Sequence, residues 1–336
     1  MKSSRLVLFA LFALLVAGRP AVASRHRHTH HKPSSQQIVD VHSSQARPSA
    51  FAGTGNLFVE PAAGVTPVVR LLDGATKSVD VEVYLLTDRD VLAALERAHA
   101  RGVTVRVMLE PHPYGGGPGN REAFDRLAQD RIAAIPTRDR FHYTHEKAIV
   151  IDRARALISS ANFTHAAFTH NREYAYLDTN PQDVREIEAI FDADWQRHDV
   201  SPHEADLVVA PDNARAKLLG LIRSATHTLA VQDEECSDPE VIAALQDRER
   251  AGVRVTVQLQ ESRDVKRLLQ KGLPAKRMHG LYLHAKAIVA DGARAYIGSV
   301  NLTANSMDHN RELGILLTDP TLVGAIDRIV QADWTR

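Results

Sequence analysis

The apolar residues of this chain change their period in a recurring order. From Val65 to Thr76 they fall at helical spacing, and from Ser78 to Leu86 they alternate with polar residues as on a half-buried strand. Asp88 then heads a second helical pattern reaching about Arg101, where its side chain can accept from the first free N–H groups. Gly102 ends that helix, and the β-branched run Val103 to Leu109 predicts another strand. Further strands are predicted at Ala148 to Ile151 and Ala287 to Ala290, and a helix from Val184 to Trp195. Strands alternating with helices predict a layered α/β fold.

The whole pattern occurs twice. Leu57 to Val107 aligns with Leu207 to Val257 at an offset of 150 without a gap, matching Pro61 with Pro211, Leu95 with Leu245 and Gly102 with Gly252. Tyr143 to Trp195 aligns with Tyr282 to Trp334 at 139. The difference of eleven places an insertion in the first copy between Val107 and Tyr143, where Pro113 to Gly119 is glycine-rich. Two long copies make an internal pseudo-dimer rather than a solenoid. The halves are taken as 51–198 and 199–336. A pseudo-dimer needs no second chain, so a monomer is expected.

The amino terminus stands outside this pattern. Lys2 and Arg5 precede a twelve-residue apolar run, Leu6 to Ala17, and Ala21-Val22-Ala23 has the small-x-small form of a cleavage site. Residues 1–23 are read as a secretory signal peptide, whose apolar run is too short to span a bilayer, with the cut after Ala23 and a periplasmic or extracellular destination. Residues 24–50, rich in Ser, Pro, Gln and His, are read as a linker, and the basic, histidine-rich stretch Arg25 to Lys32 as a solvated tether.

Composition changes this picture in two ways. With 44% hydrophobic and 24% charged residues, the 336-residue chain is of ordinary globular type. Loss of Lys2, Arg5 and Arg19 with the signal leaves 38 basic against 41 acidic residues, a net of about −3, which leans against a non-specific nucleic-acid binder. The single cysteine, Cys236, excludes an intramolecular disulfide and is expected as a small buried hydrophobe.

The chemistry lies in the second aligned block. His145 and Lys147 are followed by Asp152, Ser160 and Asn162; His284 and Lys286 are followed by Asp291, Ser299 and Asn301 at the same spacings. On a strand, residues two apart share a face, so each His and Lys should point together. Asp152-Arg153 and Asp291-Gly292 predict hairpin turns, returning through strands at Ala156 to Asn162 and Ala295 to Asn301 that carry Ser and Asn on one face. Two Lys and two Asn supply convergent donors for phosphate oxygens. A neutral His can attack phosphorus while a protonated one donates to the leaving oxygen. Glu173 and Glu312 each follow a motif His by 28 residues and are expected to accept the other imidazole N–H and fix its tautomer. The plain alternative is a surface Glu paired with its neighbouring Arg.

These residues resemble the phospholipase D superfamily, whose signature is His-x-Lys, four residues, Asp, six residues, then Gly-Ser-x-Asn. Both copies fit, except that Ser159 stands where the second copy has Gly298. The resemblance covers about residues 55–336. It implies two pseudo-twofold-related α/β/α sandwich halves with both motifs at one central site, a phosphohistidine intermediate, and no metal or other cofactor. It also implies His145 as nucleophile and His284 as general acid, an order the residues alone leave open. Lys147, Lys286, Asn162 and Asn301 would hold the phosphoryl group, with Ser160 and Ser299 supporting it. Asp152 and Asp291, at a turn and at odd separation from His, are expected to be structural.

Three functions are compatible with that centre. The first is an exported phosphoric diester hydrolase of the phospholipase D type, acting on phospholipid at a membrane surface. A metal-independent nuclease would need an extended basic groove, for which Arg106, Arg121, Arg138 and Arg140 are candidates. A phosphatidyltransferase of the cardiolipin synthase kind is the third. His142, His165, His170, His279 and His309 lie near the motifs, with packing or solvent contact as open as a place at the pocket mouth, and Trp195 and Trp334 are expected in the core.

Overall fold

A computed structural model describes residues 55–114 and 118–336. The first half runs β1 (Leu57–Glu60), α1 (Thr66–Asp73), β2 (Ser78–Val83), α2 (Arg89–Ala100), β3 (Thr104–Leu109), α3 (Arg121–Gln129), β4 (Ala133–Pro136), β5 (Lys147–Ile151), β6 (Arg155–Ser159), α4 (His165–Thr169), β7 (Asn171–Asp178) and α5 (Pro181–Trp195). The second repeats it as β8 (Leu207–Ala210), α6 (Ala214–Ser224), β9 (Thr228–Asp233), α7 (Pro239–Arg250), β10 (Arg254–Leu259), α8 (Ser262–Gln270) and β11 (Ala275–Arg277). After the short β12 (Tyr282–Leu283) come β13 (Lys286–Ala290), β14 (Arg294–Gly298), α9 (Ala304–Asp308), β15 (Glu312–Leu317) and α10 (Pro320–Thr335). The expected signal peptide and linker, and Gly115 to Gly117, lie outside the described residues.

The two sheets have the same strand order. The first reads β1-β7-β6-β5-β2-β3-β4, and the second, from its matching edge, β8-β15-β14-β13-β9-β10-β11. The β2–β3–β4 and β9–β10–β11 neighbours are parallel, and the remainder of each main sheet path is antiparallel. Helices cover both faces of each sheet. Val79, Val81 and Val83 point outward to the apolar faces of α1 and α2, and the second half has an equivalent outer core around Leu218, Leu245 and Val257. A third core belongs to both halves: Val150, Ile158 and Ile187 of the first pack with Val289, Ile297 and Ile326 of the second. Burying two apolar sheet faces and the stripes of α5 and α10 against each other is what joins the repeats.

Local signals behave as the chain chemistry predicts. The Asp88 carboxylate accepts from Asp90 N and Val91 N at the head of α2, and Gly102 follows that helix with φ of 88°. The first helix is shorter than its apolar spacing, ending at Asp73 with Gly74 as its cap, and Thr76 beyond it bonds to Asp152. Most of the insertion lies between β3 and α3, where 110–120 replaces the short link 260–261. Among the described residues, no helix is long and apolar enough to cross a membrane.

Candidate active site

The motif histidines do not sit on the strands that carry the lysines. β5 begins at Lys147 and β13 at Lys286, so His145 and His284 lie just ahead of them. These leading segments pair with the opposite half instead. His145 N donates to Arg311 O at 2.8 Å, and Ala285 N donates to Arg172 O at 2.8 Å. β12 runs parallel to the start of β7, placing Leu283 opposite Arg172, and Thr144 makes the equivalent bridge to Arg311. The residue after each Arg therefore arrives beside the other half's histidine. His145 Nδ1 lies 2.9 Å from Glu312 Oε2, and His284 Nδ1 lies 2.8 Å from Glu173 Oε1. The spacing of 28 residues thus marks repeated roles, not partners.

The surface Arg–Glu alternative fails, because Arg172, Glu173, Arg311 and Glu312 are all buried. The arginines turn away from the glutamates and cross over as well. Arg172 makes a fork to Asp333 at 2.7 and 3.0 Å, and Arg311 a fork to Asp194 at 2.8 and 3.3 Å. Each repeated Asn-Arg-Glu thus reaches the opposite half twice, through Arg to the helix end and through Glu to the histidine.

Each glutamate is held by short-range donors. Glu173 accepts from Ser160 Oγ at 2.6 Å and Asn171 Nδ2 at 3.0 Å; Glu312 accepts from Ser306 Oγ at 2.5 Å and Asn310 Nδ2 at 3.1 Å. Burial opposes ionisation of Glu312, but the facing imidazole, its hydrogen bond and the Lys147 ammonium hold it down at about 2. Burial likewise opposes ionisation of Glu173, which His284 and Lys286 bring below the usual carboxylate range. Burial pushes the His145 imidazole down to about 4, outweighing Glu312, with Lys147 adding to the fall. His145 is therefore neutral at physiological pH, with its proton on Nδ1 toward Glu312 and an open lone pair on Nε2.

The two imidazoles face each other with ring centroids 6.3 Å apart. Lys147 Nζ donates to the carbonyl of His145, and Lys286 Nζ to that of His284 at 2.5 Å. An ammonium carries three donors, so each lysine retains capacity for a ligand. Burial pushes the Lys147 ammonium down to about 7, Glu312 opposing and Lys286 reinforcing. Asn162 and Asn301 hold buried amide oxygens with no hydrogen-bond partner, an orphan repeated in both halves.

Three expectations need correction or refinement. β6 ends at Ser159 and β14 at Gly298, so Ser and Asn lie past the strands in the turn toward α4 and α9. Ser160 and Ser299, expected to support the phosphoryl group, engage their hydroxyls within the protein. Ser160 donates to Glu173, while Ser299 donates to Leu313 O at 3.2 Å and accepts from Leu313 N at 3.0 Å. At the one departure from the signature, Ser159 Oγ accepts from Ala161 N at 2.9 Å, the position where Tyr296 OH accepts from Val300 N at 3.1 Å in the second half. Asp152 and Asp291 lie in the hairpins with φ of 54° and 57°, away from the histidines. Each receives the backbone N–H groups of three successive residues, Thr76 to Ser78 and Thr226 to Thr228, plus a threonine hydroxyl.

Sequence reasoning missed Glu234, which reaches 3.6 Å from His284 Nε2 and 3.7 Å from Lys286 Nζ. It also missed Tyr84, which packs edge-on against His145. Both stand at the same place in the repeat, so the visible signal was a mismatch inside an otherwise gapless alignment. His142, His165, His170, His279 and His309 are exposed. Trp195 and Trp334 are half-buried under Arg106 and Lys276 rather than in the core, and Cys236 is fully buried. Among the described residues, no group of three or more His, Cys, Asp and Glu side chains is arranged to hold a metal ion.

The family described as "Cardiolipin synthase, PLD-like domain" matches residues 68–195 and 218–334, most of both halves. The chain belongs to the phospholipase D superfamily. Among superfamily relatives, it is 28% identical over 137 residues to a mitochondrial cardiolipin hydrolase of Chlamydomonas reinhardtii, covering 39% of this chain and 58% of that one. It is 30% identical over 118 residues to a phospholipase D of Rickettsia conorii, covering 34% and 56%. The chain thus spans less than two thirds of either relative. The structure of phosphatidylserine synthase from Haemophilus influenzae shares the two-half phospholipase D fold, with TM-score 0.65, 13% identity, and coverage of 84% of this chain and 86% of that one.

Proposed function

We propose that this protein is an exported, metal-independent phospholipase D that hydrolyses phospholipid headgroups to phosphatidate. The observation carrying the reading is the crossed pair of His–Glu contacts, which brings two imidazoles from two halves together, each with its motif lysine bonded to its own carbonyl.

In the first step His145 Nε2 attacks phosphorus, the phosphorus–oxygen bond to the headgroup alcohol breaks, and His284 gives its proton to the departing oxygen. The product is a phosphohistidine on His145. In the second step His284 takes a proton from water, the oxygen of that water attacks phosphorus, and the phosphorus–nitrogen bond breaks to release phosphatidate. Lys147, Lys286, Asn162 and Asn301 would hold the phosphoryl oxygens throughout, as charge builds on them in both transition states. His145 suits the nucleophile's role because it is neutral above about pH 4.

The nuclease reading is less well supported. Arg106 is tied to Asp80 and Asp192 at 2.6 and 2.8 Å, Arg138 to Asp194 and Asp199 at 3.1 and 2.9 Å, and Arg140 also to Asp199. Three of the four candidate arginines are thereby neutralised rather than arrayed along a groove. A phosphatidyltransferase remains the second reading, favoured by the family match: an alcohol in place of water in the second step gives headgroup exchange.

The test is phosphatidate release from phospholipid vesicles by the purified protein in excess EDTA. Release that His145→Ala abolishes supports the hydrolase. Exchange with added glycerol that outruns release favours the transferase, and cleavage of single-stranded DNA with intact lipid would overturn both. Export is checked by cell fractionation, with a mature chain beginning at Ser24 expected outside the cytoplasm.

A further inference from the structure

The two half-sites part company at one position of the repeat. Tyr84 directly follows β2, and Glu234, at the 150-residue offset, directly follows β9. In the first half the Tyr84 ring lies edge-on to His145, 4.8 Å between centroids, with the Lys147 ammonium 5.2 Å from its centroid. In the second half Glu234 points its Oε2 at His284 Nε2 and Lys286 Nζ, while its Oε1 accepts from the Tyr282 hydroxyl at 2.6 Å. The backbone beneath is pinned separately, since the Glu234 carbonyl accepts from Gln260 N and Glu261 N.

His284 consequently stands between two carboxylates, Glu173 at Nδ1 and Glu234 at Nε2. A neutral imidazole has one N–H; turned toward one carboxylate, it sets a lone pair against the other. The imidazolium has two N–H groups, one donating to Glu173 and the other within ion-pair range of Glu234 at 3.6 Å. His145 meets a carboxylate at Nδ1 only and an aromatic ring beside it, which the neutral Nδ1–H tautomer satisfies.

We propose that Glu234 is a positioning residue that holds His284 as the imidazolium, and so assigns the proton-donating role to the second half and the nucleophilic role to the first. This rests on the phosphodiesterase reading for its catalytic meaning, though not for the protonation itself. The titratable groups facing His284 are Glu173 from β7, Glu234 with Tyr282 behind it, Lys286 from β13, and His145 and Lys147 from the first half. Burial opposes ionisation of Glu234, but His284 and Lys286 together hold it at about 2, so it is an anion wherever the enzyme works. It also lies against the two groups that would bind a phosphoryl oxygen on this side. An anionic substrate must therefore share His284 and Lys286 with it.

The experiment compares the wild-type protein with Glu234→Gln, Glu234→Asp and Glu234→Tyr. The first readout needs no substrate: ¹⁵N-resolved titration of the His284 imidazole, assigned against a His284→Ala spectrum. The titration midpoint is expected to fall by roughly one pH unit or more in Glu234→Gln and Glu234→Tyr, as removal of a neighbouring opposite charge requires, and to be restored in Glu234→Asp. The second readout is turnover of a phospholipid and of bis(4-nitrophenyl) phosphate across pH. The alkaline limb should move to lower pH in Glu234→Gln. The kcat loss should be larger for the lipid's alcohol than for nitrophenolate, which leaves without a proton, and KM should not rise for either anionic substrate. A wild-type protein inert on both substrates would refute the phosphodiesterase reading while the titration still decides the role of Glu234. An unchanged His284 midpoint in a folded Glu234→Gln protein, shown by an unaltered melting curve, would overturn the proposal.

Discussion

The two halves carry the same motif residues and diverge around them, first at Tyr84 and Glu234 and again one layer behind. His, Lys, Asn, Glu and the Arg–Asp forks recur at fixed offsets, yet the inner faces of the two sheets differ in charge. The first half presents Asp80, Glu82 and Glu146 where the second has Ala230, Gln232 and Ala285. In the second half the polar groups are neutral and connected: Tyr174 OH donates to Gln232 Oε1 at 2.8 Å, and Gln232 Nε2 donates to Gln258 Oε1 at 3.0 Å. In the first, Glu82 and Glu146 are buried with one oxygen each lacking any partner, and burial pushes both up, Glu146 to about 8. Symmetry persists where both repeats must reach one phosphorus. It lapses where each repeat can set its own electrostatics, and that lapse gives two chemically identical imidazoles different surroundings.

The largest expected effect tests the shared part. His145→Ala and His284→Ala should each lower turnover by at least ~10²–10⁴-fold, measured as initial rates of phosphatidate release. The difference between them should appear by mass spectrometry, with phosphate on the His145 peptide in a His284→Ala protein given an activated aryl phosphodiester. Phosphate on the His284 peptide of His145→Ala would reverse the assignment. The acid limb of kcat/KM should fall near pH 4, where His145 becomes protonated.

Next come the forks between halves. Arg172→Ala or Arg311→Ala strands a buried aspartate and should cost about 3–5 kcal/mol in urea unfolding. Equal losses would mark the forks as a symmetric clamp; a loss confined to one would show that the flanking contacts of Arg138 with Asp194 compensate.

A smaller effect isolates the asymmetric layer. Glu82 and Glu146 have folded-state affinities for protons raised above those of a free carboxyl. Their contribution is therefore complete below the usual carboxylate range and is lost as pH rises above it, for Glu146 through about 8. The melting temperature should fall over that window, and Glu82→Gln with Glu146→Gln should flatten the fall. A flat profile in the wild type would mean the pair is matched by Arg311 after all. The smallest effect concerns one hydrogen bond. Ser159→Gly removes the acceptor for Ala161 N and Tyr296→Phe the acceptor for Val300 N, each expected to cost about 1–2 kcal/mol in thermal unfolding.

Much of this was legible in the chain. The gapless repeat exposed the halves, the Asp88 cap placed α2, and the paired motifs named His145, His284, Lys147, Lys286, Asn162 and Asn301. The crossing of Glu173 and Glu312 was not legible, because a repeat reads the same whether a side chain serves its own half or the other. Only the parallel pairing of the His-bearing segments with β7 and β15 decides it. The internal bonds of Ser160 and Ser299 were not legible either, because the hairpin strands end one residue before them, turning the hydroxyls into the protein. Glu234 escaped notice because attention went to what recurs, and its role comes from what does not.

The glycine of the motif also takes on a different meaning. A Cβ at Gly298 would sit 2.7 Å from the Tyr296 hydroxyl and the Leu313 carbonyl, and Gly314 across the strand is bare for the same ring. The first half has Leu157, Ser159 and Ala175 at these positions. That glycine answers a close approach of the neighbouring strand, whose Gly314 Cα would be nearest of all, together with the tyrosine ring two residues upstream. A search pattern insisting on it would discard half-sites like the first one, and would miss that the three positions change as one unit.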